Sequence, residues 1–326
     1  MKGKLPRILR SVGICTILAA LLFFAMRDAP LPDIWSSLRQ LKLWQLAVLL
    51  ALNLSIYSLV TLRWWLIAKA GKRDLPFIPL LGVRVSVFGV SYFTLGPQIG
   101  GEPLQVLYMQ RKYGMSYTRA TSTVVMDKLL EFLANFFLLA FGLTGILEAG
   151  ILFTNGSRPF LSLIGLVLPL AWPLIHLVLL YHGKRPLTAI LHSAVFLKRN
   201  SKSVRFIAAS EHLAGRFCRR NPSSLIFAIF VSLVAAVGMV SEFFLFAAFL
   251  KIDLSFWQTI AAWTAGWLAF LVPLPGGLGA LEASQVFALG LFGIPAASAI
   301  GITLIMRGRD LLIGGIGLLL AGRGIR

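Results

Sequence analysis

The fold is decided by residues 223–250, which read SSLIFAIFVSLVAAVGMVSEFFLFAAFL. Glu242 is the only charged residue in this run. About 20 consecutive apolar residues are enough for a helix to cross the roughly 30 Å hydrocarbon core of a bilayer. Inside lipid every backbone N–H and C=O group must be bonded within the protein, so a run of this length must be helical. The stretch therefore predicts a transmembrane helix.

Similar apolar runs recur along the chain and predict five further spans, at 9–26, 45–67, 120–147, 160–181 and 297–321. Of the 326 residues, 58% are hydrophobic and 13% are charged, whereas a soluble domain has about 25% charged residues. A membrane barrel would show alternating segments of about ten residues, and these runs do not alternate. The composition indicates an all-α, polytopic integral membrane protein with a single transmembrane domain, 1–326.

Basic residues are concentrated in a few segments, although the net charge is +19. Most lysines and arginines lie in 2–10, 63–73, 111–119, 182–222 and the C-terminus. Short basic loops mark the cytoplasmic side, so we expect the cell inner (cytoplasmic) membrane, with both termini cytoplasmic. Attraction to anionic lipid head groups is a second explanation, and recruitment of a cytoplasmic partner by 182–222 is a third. This distribution does not indicate nucleic-acid binding.

Cysteine usage and sequence motifs indicate neither a metal site nor a cofactor. Cys15 lies in the first apolar run and Cys218 in the basic segment, so no disulfide or metal framework is expected. No Walker loop or dinucleotide fingerprint is present. The basic N-terminus before the first apolar run resembles a signal peptide but lacks a convincing cleavage site. We therefore expect an uncleaved first helix.

The placement of the basic loops predicts two segments that enter the membrane without crossing it. With those loops inside, 77–119 must begin and end in the cytoplasm, and 251–296 must begin and end outside. Their apolar parts, 77–96 and 256–272, are shorter or interrupted. The sequence therefore predicts about six full transmembrane helices plus two re-entrant hairpins.

An internal comparison supports two related halves. At an offset of 179 residues, Asp74-Leu75-Pro76-Phe77 aligns with Asp253-Leu254-Ser255-Phe256, and Lys128 and Glu131 align with Arg307 and Asp310. The halves enter their hairpins from opposite sides, so they predict inverted repeats, in which binding sites lie at interrupted helices. The predicted organisation is an N-terminal helix and outer loop (1–43), a first repeat (44–147), a connecting helix and basic loop (148–222) and a second repeat (223–326).

The tips of the two hairpins are the first candidates for a binding site. The first tip, 94–102, includes Gly100, Gly101 and Glu102, and the second tip, 273–282, includes Pro275, Gly276, Gly277, Gly279 and Glu282. Proline and glycine interrupt a helix, and the free N–H groups of the helix that follows favour an anion. Plain surface loops are the alternative interpretation.

Charged residues within apolar runs are the second set of candidates, namely Lys128, Glu131, Glu242, Arg307 and Asp310. Such residues are costly in a membrane and usually face a cavity or a partner. Since arginine matches phosphate oxygens, we expect Arg307 and Glu102 to line a cavity that binds the head group of a membrane lipid. Alternatively, Lys128–Glu131 and Arg307–Asp310 are structural ion pairs, and Glu242 or Arg63 reaches the interface.

The two tips and the Lys128/Glu131 helix resemble the flippase-like transmembrane domain of lysylphosphatidylglycerol synthases. That resemblance covers nearly the whole chain and implies lipid handling. Arg326 follows the last predicted helix by five residues, so we do not expect the synthase domain or its enzymatic activity. The resemblance implies a flippase for an anionic or aminoacylated lipid, such as a phospholipid or a polyprenyl phosphate. The alternatives are a membrane-embedded lipid-modifying transferase and an accessory subunit of a lipid or glycolipid pathway.

Overall fold

The structure is a computed structural model that describes residues 39, 41–71, 74–94, 100–148, 158–193 and 201–324. Over these residues the regular structure is helical, with no β-strand, which confirms the all-α fold class. The helices are α1 (Leu43–Lys69), α2 (Phe77–Tyr92), α3 (Glu102–Tyr113), α4 (Tyr117–Glu148), α5 (Arg158–Tyr181), α6 (Pro186–Ser193), α7 (Lys202–Arg220), α8 (Pro222–Phe249), α9 (Phe256–Ala269), α10 (Ala280–Gly290) and α11 (Ala296–Gly324). A short 3₁₀ turn, Pro275–Gly277, lies between α9 and α10.

The predicted spans agree closely with these helices. Five of the six begin and end within three residues of α1, α4, α5, α8 and α11, while 9–26 lies outside the described residues. Within the described part, α1 and α8 are the helices long and apolar enough to cross a membrane on length and composition. The predicted hairpin segments form shorter helices, α2 and α9, and each is followed by a break and a second helix.

Two sets of four helices follow the same order, and we call α1–α4 the first unit and α8–α11 the second unit. Leu43 and Pro222 begin the first helix of each unit, and Tyr117 and Ala296 begin the last. Both pairs are 179 residues apart, as are the first residues of α2 and α9. The units exchange partners, because α2 packs on α11, α9 packs on α4, and α1 packs on α8.

Glycines bring α2 and α11 close together. A Cβ atom on Gly89 would lie 2.5 Å from the carbonyl oxygen of Gly314. A Cβ atom on Gly317 would overlap the carbonyl oxygen of Val85. Small residues are the usual means by which membrane helices approach so closely. This contact joins the first unit to the second beside the candidate site.

The basic segment 182–222, which we expected to be a loop, contains α6 and most of α7. Glu211 on α7 is buried and accepts 2.8 Å hydrogen bonds from the N–H groups of Leu187 and Thr188, at the start of α6. These N–H groups have no partner within their own helix, so a carboxylate stabilises that end. The segment is therefore ordered by a specific contact.

Two aromatic residues lie in the core and not at the membrane interface, where we had expected them to anchor helices. Trp64 is fully buried and donates a 3.3 Å hydrogen bond to Thr123, and Phe243 is also buried. Their neighbour Phe244 is exposed. The interfacial interpretation is therefore wrong for Trp64 and Phe243, because a neighbouring helix covers each of them.

Candidate functional site

A cavity of about 200 Å³ lies where the two units meet. Its walls come from α1, α2, α3 and α4 of the first unit and from α8, α9 and α11 of the second. Aromatic side chains, including Trp263 and Trp267, form part of the lining. The charged lining residues among those described are Arg84, Glu102, Lys128, Glu131, Glu242, Arg309 and Asp310.

Four buried charges in the first unit form a closed cluster. Arg63 donates to Asp127 at 2.6 Å and to Glu131 at 3.0 Å. Arg84 donates to the other Asp127 oxygen at 2.7 Å and to Glu131 at 3.3 Å. The cluster joins α1 and α2 to α4 through two carboxylates that lie four residues apart on one helix face. Each guanidinium thus has two charged partners.

A second cluster joins the two units. Glu242 on α8 accepts a 2.9 Å hydrogen bond from the Asn53 amide on α1 and pairs with Arg309 on α11. Arg309 also pairs with Asp310 at 2.7 Å. One arginine is therefore shared by two acidic residues beside the cavity.

The first tip presents a carboxylate and an ammonium group to the cavity. Glu102 begins α3 and accepts a 2.8 Å hydrogen bond from the N–H of Gly100. Lys128 on α4 lies 3.2 Å from Glu102 and 3.1 Å from Glu131. A Cβ atom on Gly101 would overlap the Val87 carbonyl oxygen on α2, so only glycine fits there. Residues 95–99 of this tip lie outside the described part of the chain.

The second tip repeats this arrangement with an arginine. Glu282 accepts a 2.9 Å hydrogen bond from the N–H of Gly279, whose φ of 78° favours glycine. Arg307 on α11 pairs with Glu282 and donates to the carbonyl oxygens of Gly276 at 2.7 Å and Gly277 at 3.2 Å. It also donates to the Tyr92 hydroxyl at 3.3 Å. The guanidinium thus holds the second tip against α2.

Five of the predicted site residues line the cavity, namely Glu102, Lys128, Glu131, Glu242 and Asp310. Gly100 and Gly101 stand directly before Glu102, whereas Pro275, Gly276, Gly277, Gly279, Glu282 and Arg307 belong to the second tip and are not among the cavity-lining residues. The expectation that Arg307 lines the cavity is therefore not met, because its guanidinium is turned toward Glu282 and two backbone carbonyl groups.

Two further expectations are corrected by the contacts. The expected Arg307–Asp310 ion pair is wrong, since Arg307 pairs with Glu282 and Asp310 pairs with Arg309. Arg63 and Glu242 do not extend to the interface, because both are buried in ion pairs. The Lys128–Glu131 pair, by contrast, is present.

Sequence reasoning did not find three residues of the site. Asp127 is the fully buried centre of the first cluster, and its position four residues before Glu131 was a signal that could have identified it. Asn53 and Tyr92 are polar residues in apolar runs and offered a weaker signal. Residues 102–105, read EPLQ, and 282–285, read EASQ, share a Glu-x-x-Gln pattern that marks the start of the helix after each tip.

The fold and the site define a class of helical membrane protein with a charged cavity between two four-helix units. The chain belongs to the family described as Lysylphosphatidylglycerol synthase TM region, which matches residues 10–317. The resemblance seen in the sequence is therefore confirmed, and with it the assignment to membrane proteins with a lipid-related role. No curated protein and no solved structure matches the chain.

Proposed function

We propose that the protein moves a membrane lipid across the bilayer, and that the head group of this lipid carries both an ammonium and a phosphate group. The charged lining of the cavity is the observation that carries the proposal. Among the described lining residues, three are basic and four are acidic. A purely anionic head group would meet more carboxylates than cations. An aminoacylated phospholipid, in contrast, offers charges of both signs.

The ion pairs around the cavity supply the exchange that such a head group needs. A charge that enters hydrocarbon is costly unless it is paired. Arg309, Lys128 and the carboxylates beside them already hold one another, so each can exchange a protein partner for a group of the lipid. The site would then stay paired while it is loaded and while it is empty.

We also propose that the two units are inverted repeats that open the cavity to each side in turn. Their helices begin at the same offset, and each tip carries a glutamate bonded to a preceding glycine N–H and paired with a cation on the last helix of its unit. Inverted repeats that meet at broken helices are a common transporter architecture. Both termini would lie in the cytoplasm of a cell whose inner membrane holds the protein.

Inversion predicts that two related loops face opposite sides of the membrane. Asp74 precedes α2, Asp253 precedes α9, and both side chains are exposed. In a variant with both native cysteines replaced by serine, we expect Asp74→Cys to react with an impermeant maleimide only from the cytoplasmic side. Asp253→Cys should react only from outside. Labelling of intact cells and of inverted vesicles, read by gel shift, measures both.

The native cysteines set the background of this experiment. Cys218 is buried, and burial raises the pKa of its thiol to about 11, so little reactive thiolate exists at neutral pH. Cys15 lies outside the described residues and must be replaced. If Asp74→Cys and Asp253→Cys label from the same side, the repeats are parallel and the inversion is wrong.

Reconstitution tests translocation directly. We expect vesicles that contain the purified protein to expose an aminoacylated phosphatidylglycerol with a fluorescent acyl chain to external dithionite faster than protein-free vesicles do. Unmodified phosphatidylglycerol with the same label should move more slowly, because it lacks the ammonium group. Equal rates for the two lipids would contradict the proposed head group, and rates equal to those of protein-free vesicles would contradict translocation.

The same samples test whether chemistry accompanies movement. We propose that the lipid crosses unchanged, so its mass before and after the assay should be identical. A new head-group mass would instead favour the lipid-modifying transferase.

A further inference from the structure

A second concavity, of about 400 Å³, lies outside the central cavity, and we call it the α4 groove. Its walls come from α3, α4, α5, α6 and α7, and nearly all of its surface is apolar. Along α4 it follows Tyr117, Thr121, Val125, Lys128 and Phe132. Steps of three and four residues keep these side chains on one helix face, and 15 residues of helix extend over about 22 Å. The groove is therefore long and narrow.

The α4 groove and the central cavity share two residues. Glu102 and Lys128 line both spaces, and their side chains lie 3.2 Å apart. This ion pair therefore stands between a charged compartment and an apolar one. The two compartments match the two parts of one lipid, since a head group needs charged partners and a hydrocarbon chain needs apolar surface.

We propose that the α4 groove binds one hydrocarbon chain of the lipid whose head group occupies the central cavity, and that the Glu102–Lys128 pair separates the two. This inference rests on the proposed function and assigns the surface that holds the tail. The head group would pass the ion pair when it enters the cavity, while the chain stays in the groove. The groove would then select lipids by the chain and not by the head group.

The chain's own segment 9–26 is the competing occupant, because it is apolar and lies outside the described residues. As a helix, those 18 residues would be about 27 Å long and roughly 10 Å wide, which corresponds to about 2,100 Å³. That volume is about five times the volume of the groove. Such a helix could cover the groove but could not enter it, whereas a single extended hydrocarbon chain is narrow enough.

Photolabelling tests the proposal with the full chain. The probe is a phospholipid with a diazirine near the end of one acyl chain, in vesicles that contain the purified protein, and mass spectrometry maps the adducts. We expect adducts on α4 between residues 121 and 132 and at Trp172, which faces them across the groove. Val125→Trp should fill the groove and lower these adducts at least fivefold.

Val167→Trp on α5 is the matched control, since Val167 is exposed and does not line the groove. That variant should keep the groove adducts, and adducts on the exposed face of α8 should be unchanged in both. If Val125→Trp does not fold, Thr121→Phe replaces it, because Thr121 lies one turn away on the same face. Groove adducts that persist in a folded filling variant, or that are absent from the wild type, overturn the proposal.

A cross-linker separates the two occupants. A photoreactive amino acid at position 125 should attach to lipid, and attachment to residues 1–38 in its place overturns the proposal. The dithionite assay is scored separately. Translocation without groove labelling rejects the tail site alone, whereas groove labelling without translocation rejects the proposed function and leaves the groove as a lipid site.

Discussion

Asp127→Ala is expected to lower the free energy of unfolding by about 3–5 kcal/mol, the largest stability loss we predict for a single substitution. Removal of one partner from a buried ion pair leaves an uncompensated charge, which accounts for a cost of this size. Asp127 is the partner of both Arg63 and Arg84, at 2.6 and 2.7 Å. After its loss only Glu131 would hold the two guanidinium groups together, and α1 and α2 would lose their contact with α4 through this cluster.

Asp253→Ala is the matched control for that prediction. Asp253 is exposed in the loop before α9, and surface substitutions away from special features usually change stability by about 0.5 kcal/mol or less. The unfolding midpoint in mild detergent, followed by the fluorescence of the buried tryptophans, measures both variants. If Asp127→Ala unfolds at the same midpoint as Asp253→Ala, the cluster does not stabilise the fold.

The helices could be predicted from the sequence because their signals are local. Apolar length placed α1 and α8 within three residues of their bounds, and proline and glycine placed the helix starts at Glu102 and Ala280 close to where they occur. The 179-residue offset was visible for a related reason, since charged and turn residues are rare in an apolar chain. The same property made Glu242 and Lys128 stand out as candidates.

The partners of the charges could not be predicted, because tertiary packing determines them. Spacing of three residues suggested Asp310 as the partner of Arg307, yet α11 turns that guanidinium toward Glu282, which is 25 residues away in the sequence. Arg309, directly beside it in the sequence, takes Asp310 and Glu242. Asp127 was hidden by its neighbour Lys128, since adjacent opposite charges suggest a neutral pair although they point to different sides of α4.

These pairings change how a head group can be bound. The sequence suggested arginines that are available to phosphate, but Arg307 holds the second tip and Arg309 is shared by two carboxylates. An anion must therefore displace a carboxylate, whereas an ammonium can join one. This asymmetry is why the proposed cargo carries an ammonium group, and it makes the acidic side of the cavity the place where a neutral substitution should be most revealing.

Glu242→Gln is expected to slow translocation of the aminoacylated lipid about ten- to a hundredfold while the fold is retained. A hydrogen bond to a charged group contributes about 1.5–3 kcal/mol, and each 1.4 kcal/mol corresponds to a factor of ten. Glutamine can still accept from Asn53, and Arg309 keeps Asp310 as its partner. The cavity would lose one negative charge without leaving an arginine unpaired, so the loss should fall on binding of the ammonium.

Two variants separate this effect from a structural one. Glu242→Asp keeps the charge and should recover part of the rate, whereas Asp253→Asn removes an exposed charge and should leave the rate unchanged. The dithionite assay gives the rates, and the unfolding midpoint checks the fold of each variant. A wild-type rate in Glu242→Gln would remove Glu242 from the site. A slow rate that appears only with an equally lowered midpoint would show that Glu242 acts by joining α8 to α1 and α11, and not by contact with the lipid.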